Sequence, residues 1–463
     1  MNLPEVAWPD LAPEVAEVAE ALSTAIQRLR QEHDIRSSVR REEELPRLAE
    51  HIVERATEQP QLFHLHAGTA TRLSGDSAFR EAATKAVITR ASYLYPLSRL
   101  LYLLDGVEEI HVNRWDEWIL TWPERKQLLR RQGNPFSSNE EVLTFFRERM
   151  IQLPGFQGQR QLNEGHPIAE GNLGNLLRLC VIQRPVVTGD SSVIATLRFP
   201  SAAALSSLDD YVQAGMMPAG VARFLAGCVT GKANLIVAGG TATGKTTLLR
   251  VLCGLIPAEE QVLVIEDSAE LHLEHDRGDG HPWHPHAQQI CTVAPATNEP
   301  GDVGITMRQL VRAALRLRPD RIVLGEARDG AMADVCSAAT TGHEGSMVSL
   351  HADDAMRALR RAVQYVMAAP DYRGAANLSL LAEGLVHQAF DLIVHLSFDA
   401  SRRRVVSGVV ALGEEPGHVA WVYRTDPESG RLRRETALIG DLPPGLRRKL
   451  QEGLAMAELP EPI

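Results

Sequence analysis

The chain has 463 residues, of which 44% are hydrophobic and 23% are charged, and its formal net charge is −11. This length suggests about three domains, and no apolar run approaches the roughly 20 residues that span a bilayer. The acidic balance disfavours a nucleic-acid-binding protein, because such binding depends on neutralising phosphates with Lys and Arg. The first residues, MNLPEVAWPDLAPEVAE, lack the order of a signal peptide, so we expect a cytoplasmic protein.

Residues 1–94 predict a helical segment. Apolar residues recur at helical spacing after Pro13, which suits a first helical turn, and again over about Glu42 to Glu58. A further helix is predicted over Ser77–Leu94. The first two helices would bury little surface alone, so we expect them to pack together or against a partner subunit.

Residues 95–204 predict a mixed α/β domain. The alternation in GVEEIHVNRWDEWILTW predicts two strands joined by a turn near Asn113–Asp116. A helix is predicted over Ser138–Gln152, with its first residue as the N-cap. Two further strands are predicted in NLLRLCVIQRPVV and SSVIATLRFP, and the stretch 205–218 is predicted to be a linker.

From residue 219 to residue 463 short apolar strands alternate with helices. The segments NLIVAG, QVLVIED, DRIVLGEAR and GSMVSLHA are typical of strands that a parallel sheet buries on both faces. Helical runs separate several of these segments, so we predict an α/β fold with a doubly wound parallel sheet. Two more strands are predicted near the end of the chain, in RVVSGVVAL and HVAWVYRTD.

A glycine-rich loop joins the strand NLIVAG to a helix that begins at Lys245. Its spacing, G-x-x-x-x-G-K-T, is that of a phosphate-binding loop, and the strand before it and the helix after it are the context that this motif requires. Glycines let backbone N–H groups point at phosphate oxygens, Lys245 supplies a positive charge, and the hydroxyl of Thr246 suits Mg²⁺. A turn that contains Lys-Thr by chance is the alternative, and the context argues against it. The predicted ATP-binding residues of the loop are Gly239, Gly240, Thr241, Ala242, Thr243, Gly244, Lys245, Thr246 and Thr247.

Acidic residues follow two of the predicted strands. Glu326 ends the strand in RIVLGEARD, and the acidic cluster of Glu266, Asp267 and Glu270 follows QVLVIED. Hydrolysis of ATP requires acids that hold a metal ion and polarise water, and parallel strands present such residues at their carboxyl ends. Each acid taken singly could be a solvated turn residue, but their joint position in a phosphate-loop domain favours catalysis.

Four stretches resemble, in order and spacing, the four boxes of the secretion ATPases: GGTATGKTT, VLVIEDSAELHL, ITMRQLVRAALRLRPDRIVLGEARD and AATTGHEGSMVSLHADD. This superfamily includes the motors of type II and type IV secretion and of type IV and Tad pili. The form LRLRPDRIVLGEAR, with GVEEIHVN upstream, is most similar to the Tad-pilus and conjugation branch. The resemblance covers roughly residues 95–398. It implies a RecA-like P-loop NTPase domain behind a mixed α/β N-terminal domain, with ATP and Mg²⁺ bound.

The resemblance also implies roles for single residues of the four boxes. Glu326 corresponds to the Walker B glutamate that polarises the attacking water, and the acidic cluster corresponds to the Asp-box acids near Mg²⁺ and the γ-phosphate. His343 and His351 correspond to the two histidines of the His box, one of which senses the γ-phosphate in the family. A purely structural role is the alternative for each histidine.

Four arginines match positions at which the family completes its site. Arg198 corresponds to the arginine by which the N-terminal domain reaches the nucleotide. Arg308, Arg316 and Arg318 correspond to arginines that complete a site, some of them from the neighbouring subunit. Each arginine could instead be an ordinary surface cation.

Two stretches depart from the family pattern. QRQLNEGHPIAEGN keeps little of the usual pattern, and residues 272–300 replace a shorter segment that bears an arginine. The second stretch holds side chains that can bind Zn²⁺ or Ni²⁺, namely His272, His275, Asp276, Asp279, His281, His284 and His286. Prolines and glycines among them leave no fixed spacing, so we predict a polar surface loop. The five cysteines are scattered without C-x-x-C spacing, and we predict that most are buried thiols.

The leading hypothesis is a motor in which ATP binding and hydrolysis move the N-terminal domain against the RecA-like domain. The resemblance implies a homohexamer at the cytoplasmic face of the inner membrane, where it would act on a platform protein for pilus assembly or protein export. One alternative is an ATP-binding regulatory protein with little turnover, which would not need Lys245, Glu326 and both histidines. Another is a nucleic-acid-stimulated translocase, which the acidic composition disfavours.

Overall fold

A computed structural model of the chain describes residues 4–32, 45–104, 106–122, 125–129, 133–153, 156–173, 176–199, 205–274, 281–293, 304–426, 432–435 and 439–457. The chain divides into two compact units, Met1–Ala203 and Ala204–Ile463, and both combine helices with a sheet. Within the described ranges, no helix combines the length and the apolar character needed to cross a membrane.

The helices of the first unit lie mostly in its N-terminal half. They are α1 (Pro13–Glu32), α2 (Leu45–Glu58), α3 (Ala67–Gly75), α4 (Ser77–Ala91), α5 (Ser98–Tyr102) and α6 (Asn139–Thr144), with a 3-10 turn at Pro60–Phe63 and a π-helical turn at Phe145–Met150. The predicted helices therefore form, and Leu22, Ile52 and Phe79 belong to one buried apolar cluster that α1, α2 and α4 share. Apolar burial in this cluster is what stabilises three helices that are marginal alone.

Among its described residues, the first unit also holds an eight-stranded sheet. Its strands are β1 (Glu5–Val6), β2 (Glu109–Arg114), β3 (Glu117–Thr121), β4 (Lys126–Leu129), β5 (Phe156–Gly158), β6 (Ile168–Leu173), β7 (Leu177–Gln183) and β8 (Val193–Arg198). The spatial order is β1-β4-β3-β2-β8-β7-β6-β5, and every pairing is antiparallel except β1 with β4. Alternate residues of β7 are buried, as expected for a sheet with one face on a core.

The second unit contains eight helices and nine strands among its described residues. Its helices are α7 (Leu208–Gln213), α8 (Ala219–Thr230), α9 (Lys245–Cys253), α10 (Met307–Leu317), α11 (Ala331–Thr340), α12 (Ala355–Met367), α13 (Leu378–Ala389) and α14 (Pro444–Met456), with 3-10 turns at Pro370–Tyr372 and Ile439–Asp441. Its strands are β9 (Leu235–Gly239), β10 (Val262–Glu266), β11 (Ala287–Cys291), β12 (Arg321–Leu324), β13 (Met347–His351), β14 (Leu392–Phe398), β15 (Arg404–Leu412), β16 (Val419–Thr425) and β17 (Leu432–Arg434).

These nine strands form one sheet in the order β11-β10-β12-β13-β9-β14-β15-β16-β17. The strands from β11 to β14 are parallel, and β15, β16 and β17 extend the sheet in antiparallel fashion. Leu235 and Val237 of β9 lie in the apolar cluster on one face, whereas Ile236 and Ala238 lie in the cluster on the other. The unit is therefore a three-layer α/β domain around a mainly parallel sheet, as the alternating strands and helices predicted.

The structure differs from the sequence-based expectation in two places. The stretch 205–218 contains α7, whose N-cap Ser207 forms a reciprocal capping box with Asp210, and whose Leu208 packs into the core of the second unit. The His-rich segment is not simply a surface loop, because residues 287–291 pair with β10 as an edge strand and His284 is buried. His275, Asp276 and Asp279 lie outside the described residues.

Helices α8 and α14 approach each other closely at three glycines. A Cβ atom on Gly453 would lie 1.9 Å from the carbonyl oxygen of Gly227, and one on Gly231 would lie 1.7 Å from the carbonyl oxygen of Lys449. Lys449 itself donates to Asp391 Oδ2 at 2.9 Å, and the same oxygen accepts from the backbone N–H of Asn234 just before β9. The helix α14 is thereby attached to the sheet at the amino ends of its parallel strands.

Replacing Gly453 with Ala is expected to destabilise the second unit by about 2–3 kcal/mol, because the added methyl group meets backbone atoms that cannot rotate away. The control is Gly384→Ala in α13, where the new Cβ would meet only Pro416 Cγ at 3.9 Å. That change should stabilise the helix by about 0.5–1 kcal/mol. Urea unfolding of both variants measures the difference, and equal effects would contradict the close helix contact.

Candidate active site

The glycine-rich loop lies at the carboxyl end of β9. All five residues of β9 are buried, and α9 begins immediately after Gly244, which has a φ of 94°. That left-handed backbone conformation favours glycine. A Cβ on Gly239 would lie 2.6 Å from the carbonyl oxygen of Leu396 in β14, so glycine is also required where the loop leaves the sheet.

Lys245 is turned inward at the first position of α9. Its Nζ donates to the carbonyl oxygen of Gly240 at 2.8 Å and lies 3.2 Å from Nδ1 of His351. Burial lowers the pKa of Lys245 to about 8, although the nearby carboxylates of Glu326 and Glu270 oppose this shift. The ammonium group is thus partly desolvated and close to negative charge.

His351 connects Lys245 to Glu326. Its Nε2 lies 3.0 Å from Glu326 Oε1. Because a lysine ammonium can only donate, Nδ1 of His351 accepts, and Nε2 carries the hydrogen that is donated to Glu326. Burial, with a further contribution from Lys245, lowers the pKa of His351, which favours this neutral form. The ends of β9, β12 and β13 therefore meet in one hydrogen-bonded chain.

Glu266 is the most deeply buried acid of the site. Its Oε2 accepts from the backbone N–H groups of Glu270 at 3.1 Å and Leu271 at 3.3 Å, and from the side-chain amide of Gln289. Gly325 makes room for it, since a Cβ there would lie 2.5 Å from Glu266 Cγ. Burial raises the pKa of Glu266 to about 7, so this carboxyl group orders the turn that follows β10 and titrates near neutrality.

The other two acids of the cluster are held by different partners. Asp267 Oδ1 accepts from the hydroxyl of Thr292 at 3.2 Å, and Asp267 also pairs with Arg328 at 3.5 Å. The backbone oxygen of Glu270 accepts from Arg250, which projects from the phosphate-loop helix α9. Arg328 in turn donates to Glu326 Oε2 at 2.7 Å. Two arginines thus connect the acidic cluster to the loop helix and to Glu326.

The donors present around the loop fit a magnesium ion that arrives with a nucleotide. Thr246 and Thr247 are half-buried in the first turn of α9, while Thr241 and Ala242 are exposed. Among the described residues no group of three or more His, Cys, Asp or Glu side chains forms a metal site. Mg²⁺ in such sites takes few protein ligands together with phosphate and water oxygens. The residue whose hydroxyl would hold it is Thr246.

The structure does not bring His343 to the carboxyl ends of the parallel strands. His343 precedes β13 and so lies at the end of that strand opposite to His351. It is buried, its carbonyl oxygen accepts from the hydroxyl of Ser346 at 2.7 Å, and its Nδ1 has no hydrogen-bond partner among the described residues. The two histidines of the fourth box therefore occupy different environments.

The predicted arginines also occupy different environments. Arg308 lies in an ion-pair cluster with Asp334 at 2.6 Å and with Asp371, which Arg312 also contacts. Arg316 and Arg318 are exposed at the end of α10. Arg198 belongs to the first unit, where it pairs with Glu109 on the neighbouring strand at 2.7 Å.

Several residues of the site were not identified from the sequence. Arg328 lies two residues after Glu326, so its proximity could have been inferred from the strand end alone. Arg250, Gln289 and Arg404 had no such signal. Arg404, at the start of β15, donates to the carbonyl oxygen of Ala242 at 2.9 Å and so contacts the glycine-rich loop from a strand 162 residues later in the chain.

The raised pKa of Glu266 predicts a pH dependence of stability. The folded state disfavours the ionised carboxylate, so Glu266 lowers the free energy of unfolding once the unfolded chain ionises. The stability that is fully present below pH 4.5 is therefore lost as the pH rises through about 7. Glu266→Gln should therefore stabilise the protein by about 2–3 kcal/mol at pH 8 and much less at pH 5. Urea unfolding at both pH values measures this, with the exposed Glu452→Gln as the control. Equal effects at the two pH values would show that the pKa of Glu266 is not raised in the folded state.

Comparison with known proteins agrees with these motifs. Residues 169–397 match the family described as Type II/IV secretion system protein. A protein of Mycobacterium tuberculosis named for conjugal transfer is 30% identical over 361 residues, which are 77% of this chain and 93% of the relative. A type IV secretion system protein of Bordetella pertussis is 35% identical over 179 residues, 38% of this chain and 49% of that protein.

Among solved structures, the VirB11 ATPase of the Brucella suis type IV secretion system is 23% identical to this chain. The match covers 69% of this chain and 96% of that one, with a TM-score of 0.35. The sequence relatives decide the assignment, because the M. tuberculosis protein matches at 30% identity along 93% of its length. The resemblance seen in the four boxes is therefore confirmed, and the chain belongs to the type II/IV secretion system protein family.

Proposed function

We propose that this chain is an ATPase that forms a hexameric ring and powers the assembly of a pilus or the export of protein across the bacterial inner membrane. The observation that supports hydrolysis best is that His351 contacts both Lys245 and Glu326. It joins a phosphate-binding lysine to a carboxylate that can orient water, at the edge where parallel strands present their carboxyl ends.

In this proposal ATP binds with its phosphates on the loop 239–247. Lys245 leaves the carbonyl oxygen of Gly240 for the β- and γ-phosphates, whose negative charge favours the protonated lysine. Thr246 would hold Mg²⁺, which would neutralise phosphate charge when bound. Once Lys245 has moved, His351 no longer links it to Glu326, and Glu326 accepts a hydrogen bond from the attacking water.

The two histidines then have separate roles. His351 contacts both Lys245 and Glu326, so it is the histidine that senses the γ-phosphate in this proposal. His343 lies at the opposite end of β13 and acts on the packing of that end. Glu266, Asp267 and Glu270 order the turn after β10 and would supply negative charge near Mg²⁺ when it is bound.

The ring and its partner follow from the family rather than from a contact within this chain. We propose that Arg316 and Arg318, which are exposed, approach the nucleotide of a neighbouring subunit, and that Arg198 approaches from the N-terminal domain. Arg308 would first have to leave Asp334 and Asp371. The proposed organisation is a helical segment at 1–94, an α/β domain at 95–204 and the ATPase domain at 219–463, working at the cytoplasmic face of the membrane on a platform protein.

The first test is the steady-state Mg-ATPase rate per subunit as a function of protein concentration. We expect specific activity to rise with concentration, because arginines from a neighbouring subunit complete each site. Lys245→Ala should abolish turnover, whereas Lys126→Ala, an exposed lysine of the first unit, should leave it unchanged. Wild-type protein that binds ATP but turns over no faster than Lys245→Ala would contradict the motor and favour an ATP-binding regulator.

A second test separates binding from chemistry at Glu326. Glu326→Gln keeps the size of the side chain but removes the carboxylate that orients water, so kcat should fall by about 100-fold or more. Binding of a fluorescent ATP analogue should change by less than about threefold. Glu452→Gln provides a matched exposed control. A parallel loss of affinity and kcat would place Glu326 in nucleotide binding instead.

A further inference from the structure

His395 is a buried histidine beside the phosphate loop that none of the four sequence boxes contains. It lies in β14, which pairs with β9 so that His395 is opposite Ala238 and Leu396 is opposite Gly239. Its side chain is 4% exposed, and both ring nitrogens have partners. Nδ1 lies 2.6 Å from the hydroxyl of Ser407, and Nε2 lies 3.2 Å from the carbonyl oxygen of Ala352.

These partners define which nitrogen carries the hydrogen. The carbonyl oxygen of Ala352 can only accept, so Nε2 of His395 donates to it and Nδ1 accepts from the hydroxyl of Ser407. Burial lowers the pKa of His395, which keeps the ring neutral and this tautomer in place. The ring therefore acts as a fixed donor to one backbone carbonyl.

Ala352 is the residue that follows His351. Its N–H donates to the carbonyl oxygen of Gly239 at 3.2 Å, and its own carbonyl oxygen accepts from His395. The residue is thus held on both sides, by the end of β9 and by the side chain from β14. His351, directly before it, is the residue that contacts both Lys245 and Glu326.

The position of Ser407 is itself unusual. The pairing of β14 with β15 shifts between His395 and Leu396, so that His395 is opposite Gly408 and Leu396 is opposite Val406. Ser407 is the extra residue of this bulge, and its carbonyl oxygen accepts from the hydroxyl of Thr425 at 2.7 Å. Bulges commonly redirect a side chain next to a functional site. Here the bulge directs the serine hydroxyl at the histidine.

We propose that His395 is a positioning residue that fixes His351 through the carbonyl oxygen of Ala352, and so sets the geometry between Lys245 and Glu326. The inference rests on the proposed ATPase function and adds a residue from the β14–β15 hairpin to it. Loss of this one hydrogen bond leaves Ala352 held only through its N–H and lets the His351 ring move relative to Glu326. Small displacements of a group in an active site lower kcat more than they lower affinity.

Two substitutions separate this role from simple core packing. Counting atoms from Cβ, the side-chain amide nitrogen introduced by His395→Gln reaches the place of the imidazole Nε2, whereas the shorter side chain introduced by His395→Asn reaches only the place of Nδ1. The Gln variant therefore keeps the donor to Ala352, and the Asn variant keeps only the contact with Ser407. His387→Leu is the control, because His387 is equally buried but contacts the carbonyl oxygen of Gly413 at the opposite edge of the sheet.

The experiment measures kcat and KM for ATP of the full chain, together with the ring signals of His351 in ¹⁵N-histidine spectra, assigned with His351→Asn. We expect His395→Asn to lower kcat by about 10-fold with little change in KM, and to shift the His351 signals. His395→Gln should restore most of both, and His387→Leu should alter neither.

Equal kcat values for the Asn and Gln variants, or a loss of kcat as large in His387→Leu, would overturn the role of His395. If wild-type protein hydrolyses ATP no faster than Lys245→Ala, the proposed function fails, and the spectra still decide the positioning role. A His351 signal that moves in His395→Asn but not in His395→Gln supports it, and a signal unchanged in both excludes it.

Discussion

The burial of β9, β12 and β13 on both faces of a parallel sheet is the constraint on which the rest of the site depends. Parallel strands that are covered on both sides can present polar residues only at their ends. The carboxyl ends of these three strands carry Lys245, Glu326 and His351, which meet within hydrogen-bonding distance. A shift of one residue in the pairing of β13 with β9 would remove this contact, because successive side chains point to opposite faces.

At the carboxyl ends of these strands, Lys245 and Glu266 are desolvated, and neighbouring groups offset the cost of burying their charges. Burial lowers the pKa of Lys245 and raises that of Glu266, so both groups carry their charge less readily than in water. The carboxylates of Glu326 and Glu270 favour the charged form of Lys245. Backbone N–H groups that donate to Glu266 favour its ionised form.

The hairpin β14–β15 lies where the sheet changes from parallel to antiparallel pairing, and both of its strands contact the backbone beside the site. Arg404 of β15 reaches the carbonyl oxygen of Ala242, and His395 of β14 reaches that of Ala352. Both donors act on backbone atoms beside residues of the site. The hairpin β14–β15 thereby connects the glycine-rich loop to the strand that carries His351, while Lys449 attaches α14 to the sheet at the amino ends of the parallel strands.

The sequence by itself determined the family, the parallel sheet and the strand-end acids, because these depend on local spacing: a phosphate-loop motif between a strand and a helix, and acids directly after apolar runs. The roles of the single site residues remain predictions. Only the tertiary structure separated His343 from His351, which are eight residues apart but at opposite ends of one strand. It also placed α7 on the core, made residues 287–291 an edge strand, and brought Gln289, His395 and Arg404 to the site. These contacts join residues far apart in the chain, and strand order in the sheet, which no local pattern encodes, decides them.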